Sequence, residues 1–150
     1  DIIKEQNKAS FCGTYHPISP ACVTHQMMGI YFIHQNNCLS EQTTLNLMSN
    51  LQNRVTSQLE HDPRLVDVYL QRVMMLLLTN KKDQIKPIWI KRILDSQSSD
   101  GGWDDFEGLI NVGNNNEFGF TKKSLGIRKP SSDFHATAQG LLIFSILANQ

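Results

Sequence analysis

Gln97-Ser98-Ser99-Asp100-Gly101-Gly102-Trp103 is the stretch that decides how the rest of this chain is read. Before it, Ile88, Trp89, Ile93 and Leu94 recur between Lys91, Arg92 and Asp95. Spacings of three and four put apolar side chains on one helix face. A helix over about 86–97 is therefore expected, with those four residues inward and Pro87 in the first turn, where a missing N–H costs nothing. Ser, Asp and Gly then turn the chain, because they tolerate the backbone angles a helix end demands. Trp103 follows as a large apolar group in need of a slot. The stretch predicts an elbow: helix, tight turn, buried anchor.

On the N-terminal side, a helix is expected over about 20–34, with Ser19 as cap, Pro20 at the first position, and Val23, Met27, Met28, Ile30 and Tyr31 apolar over much of its girth. A second helix, over about 40–60, is capped by Ser40. It carries one stripe of Leu45, Met48, Leu51 or Gln52, Val55 and Leu59. A third starts at Asp62-Pro63 and runs through Leu65, Val66, Tyr69, Leu70, Val73 and Leu76 to Leu78, apolar on every side. Met27, Met28, Met74 and Met75 read as core filling.

Beyond the elbow, 104–130 shows no sustained period. It holds Gly108, Gly113, Gly119, Gly126 and the run Asn114-Asn115-Asn116. It is expected to be a long loop, which in a compact domain is uncommon and usually functional or disordered. Its start is acidic (Asp104, Asp105, Glu107) and its end basic (Lys122, Lys123, Arg128, Lys129). These blocks could fold back on one another, but exposed pairs contribute little, so two solvated patches are expected. A last helix opens at Ser131-Ser132-Asp133 and runs to Leu147.

Buried and amphipathic helices thus alternate, as stacked helical hairpins require. The expected fold class is all-α: antiparallel helical hairpins in one domain over 1–150, with an irregular arm at 1–19 and a long loop at 104–130. Gln26, Gln71 and Gln139 fall at matching places early in three buried helices, suggesting an internal repeat.

A formal net charge of zero over 150 residues argues against a nucleic-acid binder driven by bulk charge. No apolar run is long enough to span a bilayer. The chain opens at Asp1 without an initiator Met or a signal-like segment, as a mature secreted or periplasmic chain or an excised domain would. Three cysteines leave at least one thiol unpaired within the chain. No asparagine lies in an Asn-x-Ser/Thr acceptor.

Gln97-x-x-x-Gly101-x-Trp103 resembles the QW motif of the squalene-hopene cyclase and prenyltransferase repeat superfamily, whose helices form α/α toroids. The resemblance implies that Gln97 ends an outer helix and stacks on Trp103, and that Asp133-Phe134-His135-Ala136-Thr137-Ala138 opens an inner helix. It covers about 84–103 and 131–148. The superfamily's catalytic strings, Asp-x-Asp-Asp and Asp-Cys-Thr-Ala-Glu, are not present, and no cysteine follows Cys38 to supply its zinc site. A full ring needs roughly twice as many helices. The resemblance therefore implies architecture, not chemistry.

Three sets of residues could carry chemistry. Asp104, Asp105 and His135 could meet at the rim of a helical cleft as an acid/base set, with Trp103, Glu107 and Asp133 as binding residues. The acidic run could instead hold a hard cation. Cys12, His16, Cys22 and His25 offer soft ligands for zinc, against which stand a Cys12–Cys22 or Cys22–Cys38 disulfide or plain buried thiols. The leading expectation is a helical-repeat binding or interaction domain for a small molecule or protein. A toroid-type hydrolase, lyase or cyclase using rim carboxylates and a His comes second, and a small Cys/His metal domain third. No cofactor is indicated.

Overall fold

The computed structural model describes residues 5, 11, 12, 21–62, 64, 67–121 and 124–149. The expected roles of Ser19, Pro20, Pro63, Leu65, Val66, His16, Lys122, Lys123 and most of the N-terminal arm lie outside those residues. Five α-helices are described: α1 (Cys22–Gln35), α2 (Glu41–His61), α3 (Asp67–Leu78), α4 (Pro87–Asp95) and α5 (Phe134–Ala148). Between α4 and α5 lies a three-stranded antiparallel sheet, β1 (Phe106–Gly113), β2 (Asn116–Thr121) and β3 (Leu125–Arg128). No described helix is long and apolar enough to cross a membrane.

α3 is the axis of the core. Every residue from Asp67 to Leu77 is buried, and α3 packs on α1, α2 and α5. α2 buries Met48, Leu51, Gln52, Val55 and Leu59, and its N-terminus is fixed by the Ser40 hydroxyl, which accepts from the Thr43 N–H at 3.3 Å. Asp133 caps α5 by accepting from the Ala136 N–H at 2.9 Å. Leu45, Ile88 and Leu94 do not face inward as expected; about half of each is exposed. Only Trp89 and Ile93 of α4 are buried, so its contact face is a single narrow strip.

The stretch over 104–130 is a β-meander, not a loop, so the chain is mostly helical but not all-α. Two features hide the strands. Bulges at Gly108/Ile110 and Asn111/Gly113 break the period-two alternation. Gly108, Gly119 and Gly126 pair across all three strands, so one face carries almost no side chain there. That face needs the space: a Cβ on Gly119 would meet the Glu107 carbonyl oxygen at 2.0 Å and the Phe106 ring at 2.8 Å. The first hairpin turns at Asn114 and Asn115, both in the left-handed region (φ 53° and 58°) that a type I′ turn requires. The other face carries Ile110, Phe118, Phe120, Leu125 and Ile127 in register, with Ile110, Leu125 and Ile127 more than 60% exposed.

Two further links fix the helices. A Cys12–Cys22 disulfide, Cα–Cα 5.6 Å, ties Cys12 to the first residue of α1, and the Cys12 carbonyl accepts from Arg54 Nη2 of α2 at 2.6 Å. At the junction of α2 and α3, buried Asp62 takes Arg64 in a two-pronged pair (2.7 Å each) and fully buried Arg72 at 3.0 Å. Burial alone would raise the Asp62 carboxyl; the Arg64 hydrogen bonds and the Arg72 charge outweigh it and lower it from 3.8 to about 2.

A carboxyl held below its unfolded value stabilises above about pH 4, and that contribution, on the order of 2 kcal/mol, is lost as pH falls from 4 towards 2. Asp62→Asn removes the carboxylate that Arg72 meets in this buried junction, at a cost of about 3–5 kcal/mol at neutral pH. The gap from wild type should narrow as pH falls towards 2, as measured by urea unfolding across that range.

Candidate functional site

The elbow is built by hydrogen bonds within its own residues. The Ser98 N–H donates to the Gly102 carbonyl and the Gly101 N–H to the Ser98 carbonyl, each at 2.9 Å. Gly101 sits at φ 87°, where a side chain would be strained. Gly102 lies so close to the start of α5 that a Cβ would meet the Ser132 hydroxyl at 2.4 Å. The Asp100 carboxylate accepts from the Ser132 hydroxyl (2.5 Å) and the Gly102 N–H (3.0 Å), which together hold it below its ordinary range. Gln97 donates across the turn from Nε2 to the Gly101 carbonyl at 2.7 Å.

Trp103, expected as a binding residue, is enclosed between α4 and α5. It is 2% exposed. Its indole N–H donates to the Ile93 carbonyl of α4 at 2.8 Å, and its ring stacks on Phe144 of α5 with centroids 5.7 Å apart. The ring occupies the space left by Gly140, where a Cβ would lie 2.4 Å from it. The backbone of Trp103 is also paired: its N–H donates to the Thr137 hydroxyl at 3.0 Å, and its carbonyl accepts from the Asp133 N–H at 2.7 Å.

Asp104 and Asp105 share one partner, Arg128 at the end of β3. Its Nη1 donates to Asp105 at 2.8 Å and its Nη2 to Asp104. Asp104 also accepts from the N–H groups of Ser131 (2.7 Å) and Phe106 (3.1 Å). Burial pushes the Asp104 carboxyl up, against the pull of the Ser131 N–H and Arg128. The guanidinium lies over the buried Phe106 ring, 5.2 Å from its centroid. Arg128 therefore does fold back on Asp104 and Asp105, where solvated patches were expected. Two bidentate-capable carboxylates on one partly buried Arg make a stronger contact than an isolated surface pair.

His135 does not meet these carboxylates. Its Nδ1 lies 3.1 Å from Oδ2 of Asp67, the first residue of α3, while the Gln139 amide nitrogen lies 3.0 Å from its Nε2. The same amide nitrogen is 3.2 Å from Nδ1, and the Asp67 carboxylate fits a ring that donates from Nδ1. Separately, Thr24 of α1 donates to Gln71 of α3. Gln26, Gln71 and Gln139 are all buried. Their matching sequence positions were a signal of that burial. Asp67 had none, since it meets His135 from 68 positions away.

A cleft of about 380 Å³ at the root of the sheet is lined by Asp95, Gln97, Asp104, Glu107 and Glu117. It contains expected residues Asp104 and Glu107 but not Asp105, Asp133 or His135. Asp133 is engaged as the α5 cap. Cys12 and Cys22 are bonded to each other, so two of the four expected zinc ligands have no thiolate to offer, and His25 Nδ1 lies 2.6 Å from the Ala21 carbonyl. Among the described residues no group of three or more His, Cys, Asp or Glu is placed to hold a metal.

Arg128→Gln should release the sheet from the elbow. Amide hydrogen exchange in 106–128 should quicken at least about tenfold while α3 is unchanged, because local opening is governed by local contacts. Comparison of the chain with family models, curated proteins and solved structures returned no match in any of the three.

Proposed function

We propose that this chain is a helical-hairpin interaction module that docks an amphipathic helix of a partner polypeptide on the outer face of α5. The observation that carries this is the composition of that face. α5 contains no Asp, Glu, Lys or Arg. Phe134 is 89% exposed, Leu141 60% and Leu142 40%. Positions 134, 138, 141 and 145 follow the four- and three-residue steps of a single helix side. Such a side, normally charged on a surface helix, is here apolar or small throughout. Contiguous exposed apolar surface marks a contact site, and anchors at these steps suit helix-to-helix docking.

The resemblance to toroid repeats supports the same partner chemistry. In those repeats an inner helix is covered by the outer helix of a neighbouring hairpin, with an apolar stripe and a polar back like that of α2. The toroid-type enzyme remains the second reading, favoured by one observation: Asp67 orients a half-exposed His135, as a base is oriented in many hydrolases. The Gln139 amide at Nε2 and the engagement of Asp104 and Asp105 by Arg128 weigh against it.

The double variant Leu141→Glu, Leu142→Glu tests the interaction reading, since both side chains are largely exposed and should cost under about 1 kcal/mol of stability. Wild type should bind an apolar fluorescent dye and a synthetic amphipathic helix with a dissociation constant on the order of 100 μM or below, and the variant should do neither while keeping its circular dichroism. Equal dye binding by the two proteins would contradict the assignment.

A further inference from the structure

The sheet is built with its polarity reversed. An antiparallel sheet with one open face normally turns its apolar side chains to the body of the protein and its polar ones to water. Here the face that looks across the cleft towards Asp95 at the end of α4 carries Glu117, Arg128 and the row of Gly108, Gly119 and Gly126. The face turned away carries Ile110, Phe118, Phe120, Leu125 and Ile127. None of these five side chains belongs to the helical core. They form two aligned rungs, Ile110–Phe118–Ile127 and Phe120–Leu125, with an aromatic ring on the middle strand of each. Glu107 stands at one corner, opposite Phe120, and the rest of the face is uncharged.

The edges of the sheet are guarded and this face is not. β1 is bulged twice, which takes an edge out of the flat geometry that strand addition needs. β3 is four residues long and runs into Lys129-Pro130, and short strands, lysine and proline all discourage an added strand. Cover for the apolar rungs therefore has to come onto the face, not along an edge. Ile110, Leu125 and Ile127 are largely exposed, and Phe118 and Phe120 partly so. Together they offer roughly 500 Å² per copy, or about 1,000 Å² in a pair of copies, the lower limit of a specific interface.

We infer that two copies of this chain associate through this face and stack their three-stranded sheets into a six-stranded sandwich about a twofold axis. Apolar sheet faces pack on one another about 10 Å apart with their side chains interdigitated. A carboxylate confined to one corner leaves the centre of the contact free of like-charge repulsion. Because each copy supplies the same surface, the contact closes at two and covers both faces. A contact between this face and any other surface of the next copy would run on into an open chain. This surface is separate from the outer face of α5, and neither assignment rests on the other.

The test is sedimentation velocity of the full chain between about 1 and 300 μM. A monomer converting to a dimer is expected, with a dissociation constant on the order of 10–100 μM, the weak range that suits an interface of this size. Ile110→Lys and, independently, Ile127→Lys put a charge on the face from its two outer strands. Each should weaken association at least about tenfold with circular dichroism unchanged, because both positions are exposed. The Leu141→Glu, Leu142→Glu variant should dimerise like wild type, which separates failure of this assignment from failure of the α5 assignment. In wild type mixed from isotope-labelled and unlabelled chains, NMR contacts between copies should join Leu125 or Ile127 methyls to the Phe118 or Phe120 ring. A chain still monomeric at about 300 μM would overturn the assignment. So would lysine variants that both dimerise like wild type, a dimer abolished by the α5 variant, or contacts between copies that run between β1 backbones and not across the faces.

Discussion

The structure depends on the slot that holds Trp103. One residue joins two helices to the elbow: the indole N–H reaches the Ile93 carbonyl of α4, the ring lies on Gly140 of α5 and stacks on Phe144, and the backbone is held by Thr137 and Asp133. Burying a tryptophan contributes roughly 4–6 kcal/mol from area alone. That is comparable to the net stability of a small domain. α4 has only Trp89 and Ile93 as buried contacts of its own, so its position leans heavily on this anchor. The sheet starts three residues later and inherits its placement from the same turn.

Charge is used in this chain mainly to hold elements together. Asp62 joins α2 to α3 through Arg72, Asp104 and Asp105 join the elbow to β3 through Arg128, and Asp67 joins α3 to α5 through His135. The carboxylates and histidine that would serve an acid/base reaction are therefore already committed. What the fold leaves open is an uncharged outer face on α5 and an apolar sheet face.

The helices were legible because their signals are local. Caps at Ser40 and Asp133, Pro87 in a first turn, and stripes at three- and four-residue steps depend only on neighbours in sequence. Gly101 and Trp103 likewise announced the elbow, and the structure gives each a reason: a positive φ and a buried ring. The sheet was hidden because its bulges and its row of glycines erase alternation; only Asn114-Asn115, flanked by Ile110, Val112, Phe118 and Phe120, marked the hairpin. The partners in long-range pairs could not be named from the sequence, which for Arg128 and Asp104 showed only blocks of opposite charge. Asp67 with His135, and Arg128 with Asp104, are brought together only by packing. For the same reason Ile88, Leu94 and Leu45 looked buried: periodicity names a face but not how much of it finds a partner.

The anchoring role of Trp103 is most directly tested by hydrogen exchange at its indole N–H, followed by NMR. A proton bonded to the Ile93 carbonyl inside the α4–α5 slot should exchange as slowly as the most protected amides of α3, through global unfolding alone. Exchange of that proton within about tenfold of the unprotected rate, while α3 stays protected, would show that α4, the elbow and α5 hold together without it.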